Sequence, residues 1–480
     1  MRPSDASKLL AAMIKARLPV LLIGDPGVGK CLGRGTPVLM HDGSVQPVEQ
    51  IKIGDRLMGP DSKPRIVTAL SSGIDEMFVI TPIKGEPYLV NSRHMLSLKQ
   101  SPERASNRAR GIVNITVDRY LAMNHTQRYH LKGWRTGIEF TTKDIALNPY
   151  VLGLWLGDGD QRRAAFTTMD TEIIDALVAF APQHGLSAKF YARKNNKASH
   201  IALTGKQGGA MRSHPGNPIR NALIRYGLGT EKFIPRDYLI NKRSVRLAVL
   251  AGIIDTDGTL QNNCYCVIQK SIRLAEDIVF LARSLGLAAY ASQVQKSAHA
   301  DHVDTYQSIT ISGEIDMVPV RVSRKIARQR QQKKDALVTG VSVTPSGLGA
   351  FYGFSLDSDG LFLLGDFTVT HNSDLIAQAA EESTADLIIS HPVVADPTDA
   401  KGLPWIGKDG ESATFLPFGE MARALKAKKP TVWFLDDLGQ AAPAVQASFM
   451  QLLLARRING HTLPECVTFM AATNRRGKQT

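Results

Sequence analysis

Residues 31–372 stand between the two halves of one short motif. The run Pro19-Val-Leu-Leu-Ile23 is a buried-strand pattern, and Gly24-Asp-Pro-Gly-Val-Gly-Lys30 after it is the GxxxxGK part of a phosphate-binding loop. In such a loop Gly24, Gly27 and Gly29 let backbone N–H groups curl around phosphate, and Lys30 reaches the terminal phosphates. The next position should offer a hydroxyl to Mg2+. Cys31 stands there instead, and a thiol is a poor ligand for a hard cation. The hydroxyl is found at Ser373, followed by the helical pattern Asp374-Leu-Ile-Ala-Gln-Ala-Ala380. Joining Lys30 to Ser373 restores GDPGVGKS between a strand and a helix. A match that exists only after a defined segment is removed constrains the chain far more than a loop match alone.

The residues flanking the interruption carry chemistry of their own. Cys31 opens the insert, His371 and Asn372 close it, and Ser373 follows. A thiolate is a good nucleophile and leaving group, so Cys31 can attack the Lys30 carbonyl and turn an amide into a thioester. Ser373 can take the acyl group, Asn372 can cyclise through its side-chain amide, and His371 can donate a proton to the leaving group. None of these steps needs a cofactor. A lone cysteine or a lone His-Asn pair would mean nothing; the set at both ends of one segment carries the argument.

The surrounding segments resemble an intein. Residues 31–61, with alternating apolar residues, Gly-rich turns and Ile51–Asp55 as an IxxGD turn, resemble its opening block. Tyr88-Leu-Val-Asn91-Ser-Arg-His94 resembles the second block, and 352–357 with 366–372 resemble the closing ones. The resemblance implies that Asn91 and His94 strain and protonate the first scissile amide. Many inteins carry a histidine within 359–362. None is present here, and Asp359 or Asp366 are the substitutes to test.

Inside the insert a pattern occurs twice. Val151-Leu-Gly-Leu-Trp-Leu-Gly-Asp158-Gly159 is echoed by Leu250-Ala-Gly-Ile-Ile-Asp-Thr-Asp257-Gly258, and each is followed by a short strand and an amphipathic helix. The second copy is nearly LAGLIDADG, and the pair resembles a dodecapeptide (DOD-type) homing endonuclease. The resemblance implies two helices packed through small residues, with Asp158 and Asp257 sharing Mg2+ for phosphodiester hydrolysis on double-stranded DNA. The first copy has Leu156 where the consensus has its earlier acid. Lys232, in Glu-Lys-Phe-Ile-Pro235, matches a further block whose lysine lies near the active site. Lys270 is the weaker counterpart in the second repeat.

The flanks agree with the restored loop. Thr431-Val-Trp-Phe-Leu-Asp436-Asp437 is an apolar strand ending in acids, and 469–474 is another ending in Asn474. With 396–405 they resemble the MoxR-like branch of AAA+ ATPases. That resemblance implies ATP, Mg2+ held through Asp436, water polarised by Asp437 and positioned by Asn474, and an oligomeric spliced host.

Charge supports a polyanion partner. The net charge is +14, and twelve of those charges fall within 31–372. Basic runs at Arg104, Arg108, Arg110, Arg128, Lys132 and Arg135, and at 321–334, are candidates for DNA-backbone contact, with a solvated linker as the alternative. No apolar run reaches the ~18 residues that would span a membrane. The N-terminus reads as an amphipathic helix through Leu9, Leu10, Met13 and Ile14 rather than a secretory signal. Four cysteines without a CxxC pair point away from structural zinc and toward the cytoplasm.

The expected architecture is therefore multidomain. A split α/β P-loop host occupies 1–30 and 373–480, a mostly-β splicing (Hint) domain 31–145 and 326–372, and an α+β LAGLIDADG endonuclease 146–325. The alternatives are a P-loop ATPase with a non-splicing insertion, and a splicing intein whose endonuclease is inactive.

Overall fold

The computed structural model describes residues 3–24, 31–101, 111–160, 163–192, 198–205, 217–299, 302–329, 334–371, 376, 379–380, 383–406, 411–436 and 438–474. Gly27, Gly29, Lys30, Asn372, Ser373 and Asp437 lie outside them, as do Arg104, Arg108 and Arg110.

Both ends of the insert enter one ten-stranded sheet. Its spine is a pair of long antiparallel strands, Pro64–Pro82 and Val338–Leu356. These come from opposite sides of the intervening segment, so loop closure over more than two hundred residues is offset by an extended ladder. Strand Leu32–Gly33 lies between Val338–Leu356 and Tyr88–Asn91. The last strand, Val369–His371, pairs with Leu361–Leu363 on one side and, through His371 opposite Met95, with Met95–Gln100 on the other. The alternation that marked these strands in the sequence sends Leu32, Val67, Ile80, Val90, Leu96, Leu98, Phe354 and Phe362 into one shared core.

Residues 149–327 form a second core around two helices, Pro149–Asp158 and Arg243–Asp257. These are the duplicated segments. They touch backbone to backbone: a Cβ on Gly252 would sit 2.4 Å from Tyr150 O, and one on Gly153 would sit 2.3 Å from Val249 O. The first helix starts at Asn148, whose side chain accepts from Tyr150 and Val151 N–H, with Pro149 in the first turn. Each helix is followed by an antiparallel sheet and a covering helix. The first sheet runs Ala165–Thr168, Ser199–Gly205, Leu186–Ala192 and the second Gly258–Gln261, Cys264–Gln269, His302–Ser312, Ala288–His299. The covering helices are Thr171–Gln183 and Ile272–Ser284.

The flanks of the insert meet in a four-stranded parallel sheet, ordered Val20–Gly24, Val467–Asn474, Thr431–Leu435, Asp386–Ser390. Val20 to Gly24 pair in register with Met470 to Asn474. The N-terminal helix, Pro3–Lys15, buries Leu10 and Ile14 against Ile376, Ala379, Ala380, Val432, Phe434 and Met470, while Leu9 stays exposed. Among the described residues no helix is long and apolar enough to cross a membrane.

Candidate functional site

Cys31 is buried at the start of the insert, packed with Met77 and Phe351. Asn91 brackets it. The Cys31 N–H donates to Asn91 Oδ1 at 3.2 Å, and Asn91 N–H donates to the Cys31 carbonyl at 3.2 Å. The Cys31 nitrogen belongs to the peptide bond joining it to Lys30, so Asn91 grips the amide that the sequence marks as scissile. Two neighbours absent from the sequence reading also lie here. Ser71 Oγ is 3.8 Å from Cys31 Sγ, and Asp75 Oδ2 accepts from Asn91 Nδ2 at 3.2 Å. Both point inward from the strand Pro64–Pro82, where they fall two residues either side of Gly73.

The turn after Asn91 delivers His94 to the other end of the insert. His94 is buried, and its Nε2 lies 2.6 Å from Thr370 Oγ1, in the last strand before the second junction. Its backbone carbonyl accepts from Val117 N–H, and Arg93 pairs with Asp118 at 3.3 Å, so the turn is fastened at several points. Cys31, Asn91, His94 and His371 are thus gathered around the turn that joins Tyr88–Asn91 to Met95–Gln100.

Both substitute acids are held by arginines. Asp359 is engaged by Arg65 at 2.9 Å. Asp366 is buried, pairs with Arg135 at 2.6 Å and accepts from Thr368 N–H at 3.0 Å. Burial pushes its carboxyl up, but the Arg135 guanidinium outweighs this and holds it below the usual carboxylate range. Arg135 is therefore an internal strut, and the expected DNA contact fails there.

In the second core the paired helices end side by side. A Cβ on Gly157 would lie 3.2 Å from Asp257 Oδ1, and the Asp158 charge is felt at Asp257, so the two helix-terminal acids are neighbours. Desolvation first, then the neighbouring Asp158 charge, pushes the Asp257 carboxyl up to about 6. Desolvation raises Asp158 as well, against the pull of Lys232 and Lys325. Asp158 and Asp257 supply the hard oxygen donors that would suit a divalent cation.

Lys232 reaches this centre. Its Nζ donates to Gly157 O at 2.7 Å and sits 5.2 Å from the Trp155 ring. Its segment is clamped to the helix Ile272–Ser284 by Glu231–Arg273 at 3.1 Å and by Ile234 N–H donating to Asp277 at 2.8 Å. The counterpart in the second half is Lys325 rather than Lys270. Lys325 is buried and donates to Ile254 O, Asp255 O and Thr256 O at 2.9, 2.7 and 3.0 Å, capping the second helix as Lys232 caps the first. Asp255 holds the loop that carries Lys325 by accepting from Arg321 and Val322 N–H and from the Tyr150 hydroxyl. Lys270 is exposed and pairs with Asp304 at 2.8 Å. Of the basic run 321–334, Lys325 is therefore internal, Arg324 is paired with Asp170, and Arg321 covers the Tyr150 ring.

On the flanking sheet, Gly24 ends the first strand opposite Asn474, and Asp436 follows the strand Thr431–Leu435 with His391 Nδ1 at 3.5 Å. Among the described residues no group of three or more His, Cys, Asp or Glu gathers as a metal cluster.

Residues 31–136 match the family described as Hom_end-associated Hint, and residues 234–336 match the family described as Homing endonuclease. These matches support a Hint segment at 31–136 and a homing endonuclease segment at 234–336. Among curated proteins it is 25% identical over 385 residues to the replicative DNA helicase DnaB of Mycobacterium intracellulare, covering 74% of this chain and 61% of that one. It is 22% identical over 473 residues to the catalytic subunit of the V-type proton ATPase of Candida tropicalis, covering 71% and 43%. The chain thus spans about three-fifths and two-fifths of these relatives. Among solved structures it is similar to I-DmoI in complex with DNA and Mn, at 14% identity over 35% of this chain and 89% of that one, TM-score 0.24. It is also similar to the gp41-1 intein, at 15% identity over 24% and 70%, TM-score 0.14.

Proposed function

We propose that this chain, which joins a Hint segment to a homing endonuclease, is a self-splicing precursor. The observation that carries the reading is the convergence on one turn: Asn91 holds the Cys31 amide, and His94 reaches Thr370 beside His371.

Cys31 Sγ attacks the Lys30 carbonyl carbon. The C–N bond breaks, the Cys31 nitrogen takes a proton with help from His94, and a thioester remains. Ser373 Oγ then attacks the thioester and expels the Cys31 thiol. The Asn372 side-chain nitrogen attacks its own carbonyl, closing a succinimide and freeing the Ser373 amine, with His371 assisting proton transfer. That cleavage releases 31–372, and the ester at Ser373 then rearranges to an amide that joins Lys30 to Ser373.

The excised segment carries the second activity, double-strand cleavage of DNA that lacks the insert. Asp158 and Asp257 would hold Mg2+, which activates water and stabilises charge on the phosphate when bound. Lys232 stabilises developing charge at the same centre. The spliced flanks form an ATP-binding P-loop domain of MoxR-like AAA+ type. Gly24, Gly27, Gly29 and Lys30 cradle phosphate there, Ser373 and Asp436 serve Mg2+, and Asp437 and Asn474 serve the attacking water.

Expression followed by intact mass tests the splicing reading. The chain of 52.3 kDa should yield species of roughly 37 and 15 kDa in proportion to residues 31–372 and the joined flanks. A full-length species unchanged by Cys31→Ala or Asn372→Ala overturns it.

A further inference from the structure

We infer that Asp75 is a positioning residue for the first step of splicing, acting through the Asn91 side chain; the inference rests on the splicing reading above.

The argument is one of donors and acceptors. A primary amide has two different ends, and rotation by half a turn exchanges them. Only the oxygen end of Asn91 can accept the Cys31 N–H, so a flipped Asn91 would face that N–H with its own NH2 group. Asp75 settles the choice. Its carboxylate accepts only, and its Oδ2 lies 3.2 Å from Asn91 Nδ2 while its Oδ1 takes the Glu76 N–H at 2.9 Å. Asp75 is 2% exposed and Asn91 fully buried, so water competes poorly for either group. The chain Asp75–Asn91–Cys31 runs from a negative charge, through an amide dipole, to the nitrogen that must leave.

The alignment favours the reaction and not merely the fold. As the C–N bond breaks, the Cys31 nitrogen gains a proton and positive charge, and its N–H becomes a stronger donor. A carboxylate behind the acceptor strengthens that bond further in a buried setting. The interaction is therefore stronger in the transition state than in the resting amide, which is the condition for acceleration.

The backbone supports the assignment. Asp75 projects from Pro64–Pro82, the long strand that also presents Ser71 to the Cys31 thiol, and Met77 of the same strand pairs in register with Asn91. The element that carries the charge is thus locked to the element that carries the amide.

The test uses the full chain and reads the two junctions separately. Dithiothreitol-induced cleavage before Cys31 is followed by mass in an Asn372→Ala background, and spontaneous cleavage after Asn372 in a Cys31→Ala background. Asp75→Asn, which preserves shape but lets the amide pair turn either way, should slow the first by about ten- to a hundred-fold, the rate equivalent of one charge-assisted hydrogen bond. It should leave the second unchanged. With Asn91→Ala already present, Asp75→Asn should slow the first step no further. An unaltered rate before Cys31, an equal fall at both junctions, or an undiminished effect beside Asn91→Ala overturns the inference. If the unsubstituted chain is cut at neither junction, the splicing reading itself falls, and this inference with it.

Discussion

His94 and Thr370 share a hydrogen bond of 2.6 Å although 276 positions separate them in the chain. The bond ties the turn beside the first junction to the strand that leads into the second. It holds the imidazole in one orientation, and the hydroxyl can serve either tautomer by donating or accepting. Thr370→Val should therefore slow dithiothreitol-induced cleavage at Cys31 by about five-fold, the equivalent of ~1 kcal/mol. The variant lies near the opposite junction, so an unchanged rate at Cys31 would refute the linkage.

Gly252→Ala should separate the two activities. The added methyl meets Tyr150 O at 2.4 Å and Leu154 N at 2.7 Å, both backbone atoms of the facing helix. Neither can move without parting the helices that carry Asp158 and Asp257. Denaturant unfolding of the excised segment should show a loss of at least about 2 kcal/mol in the endonuclease transition. DNA cleavage should be lost while splicing persists.

Lys325→Met removes a charge that caps the second helix beside Asp257 and keeps the aliphatic stem. With a duplex spanning the uninterrupted host sequence and Mg2+ present, cleavage should fall by about a hundred-fold or more, comparable to losing one preorganised electrostatic group. Binding of the same duplex, read by gel shift, should persist if the saddle remains folded. Cleavage within a few-fold of the unsubstituted protein would reduce Lys325 to a helix cap.

Asp277 gives a pH-dependent expectation. Burial first pushes its carboxyl up to about 6, against the Ile234 N–H bond and Arg273, which favour the charged form. An acid whose folded pKa lies above its unfolded value favours the folded state at low pH and loses that advantage as pH rises from about 4 to about 6. Asp277→Asn keeps an acceptor for Ile234 without the charge. It should stabilise the endonuclease at pH 7 by about 1–2 kcal/mol, and the difference should vanish below pH 4. Chemical denaturation across that range checks it; a destabilised variant at pH 7 would show that the charged hydrogen bond dominates.

Much of this arrangement was legible in the residues because it repeats or recurs at fixed places. Cys31, Asn91 and His94 could be recognised from local blocks, and the paired helices carrying Asp158 and Asp257 from an internal echo. Lys325 was hidden because its segment, Ser323-Arg-Lys-Ile, shares little with Glu-Lys-Phe-Ile around Lys232, and only the three-dimensional pairing of helix ends relates them. Asp75 and Ser71 were hidden by a strand whose register is set by a partner more than two hundred positions away. A run of charges also says nothing about direction. Arg135 and Lys325 belong to basic stretches, yet both point inward, where buried acceptors await them.

The sheet outside the insert has a consequence for failed reactions. Five consecutive residues, Val20 to Gly24, are zipped to Met470 to Asn474, and the helix before them is seated on residues that follow the insert. A precursor severed at Cys31 alone would thus keep its short amino-terminal piece as a noncovalent tenant of the same fold. The nick would be invisible to size under native conditions and would surface only on denaturation.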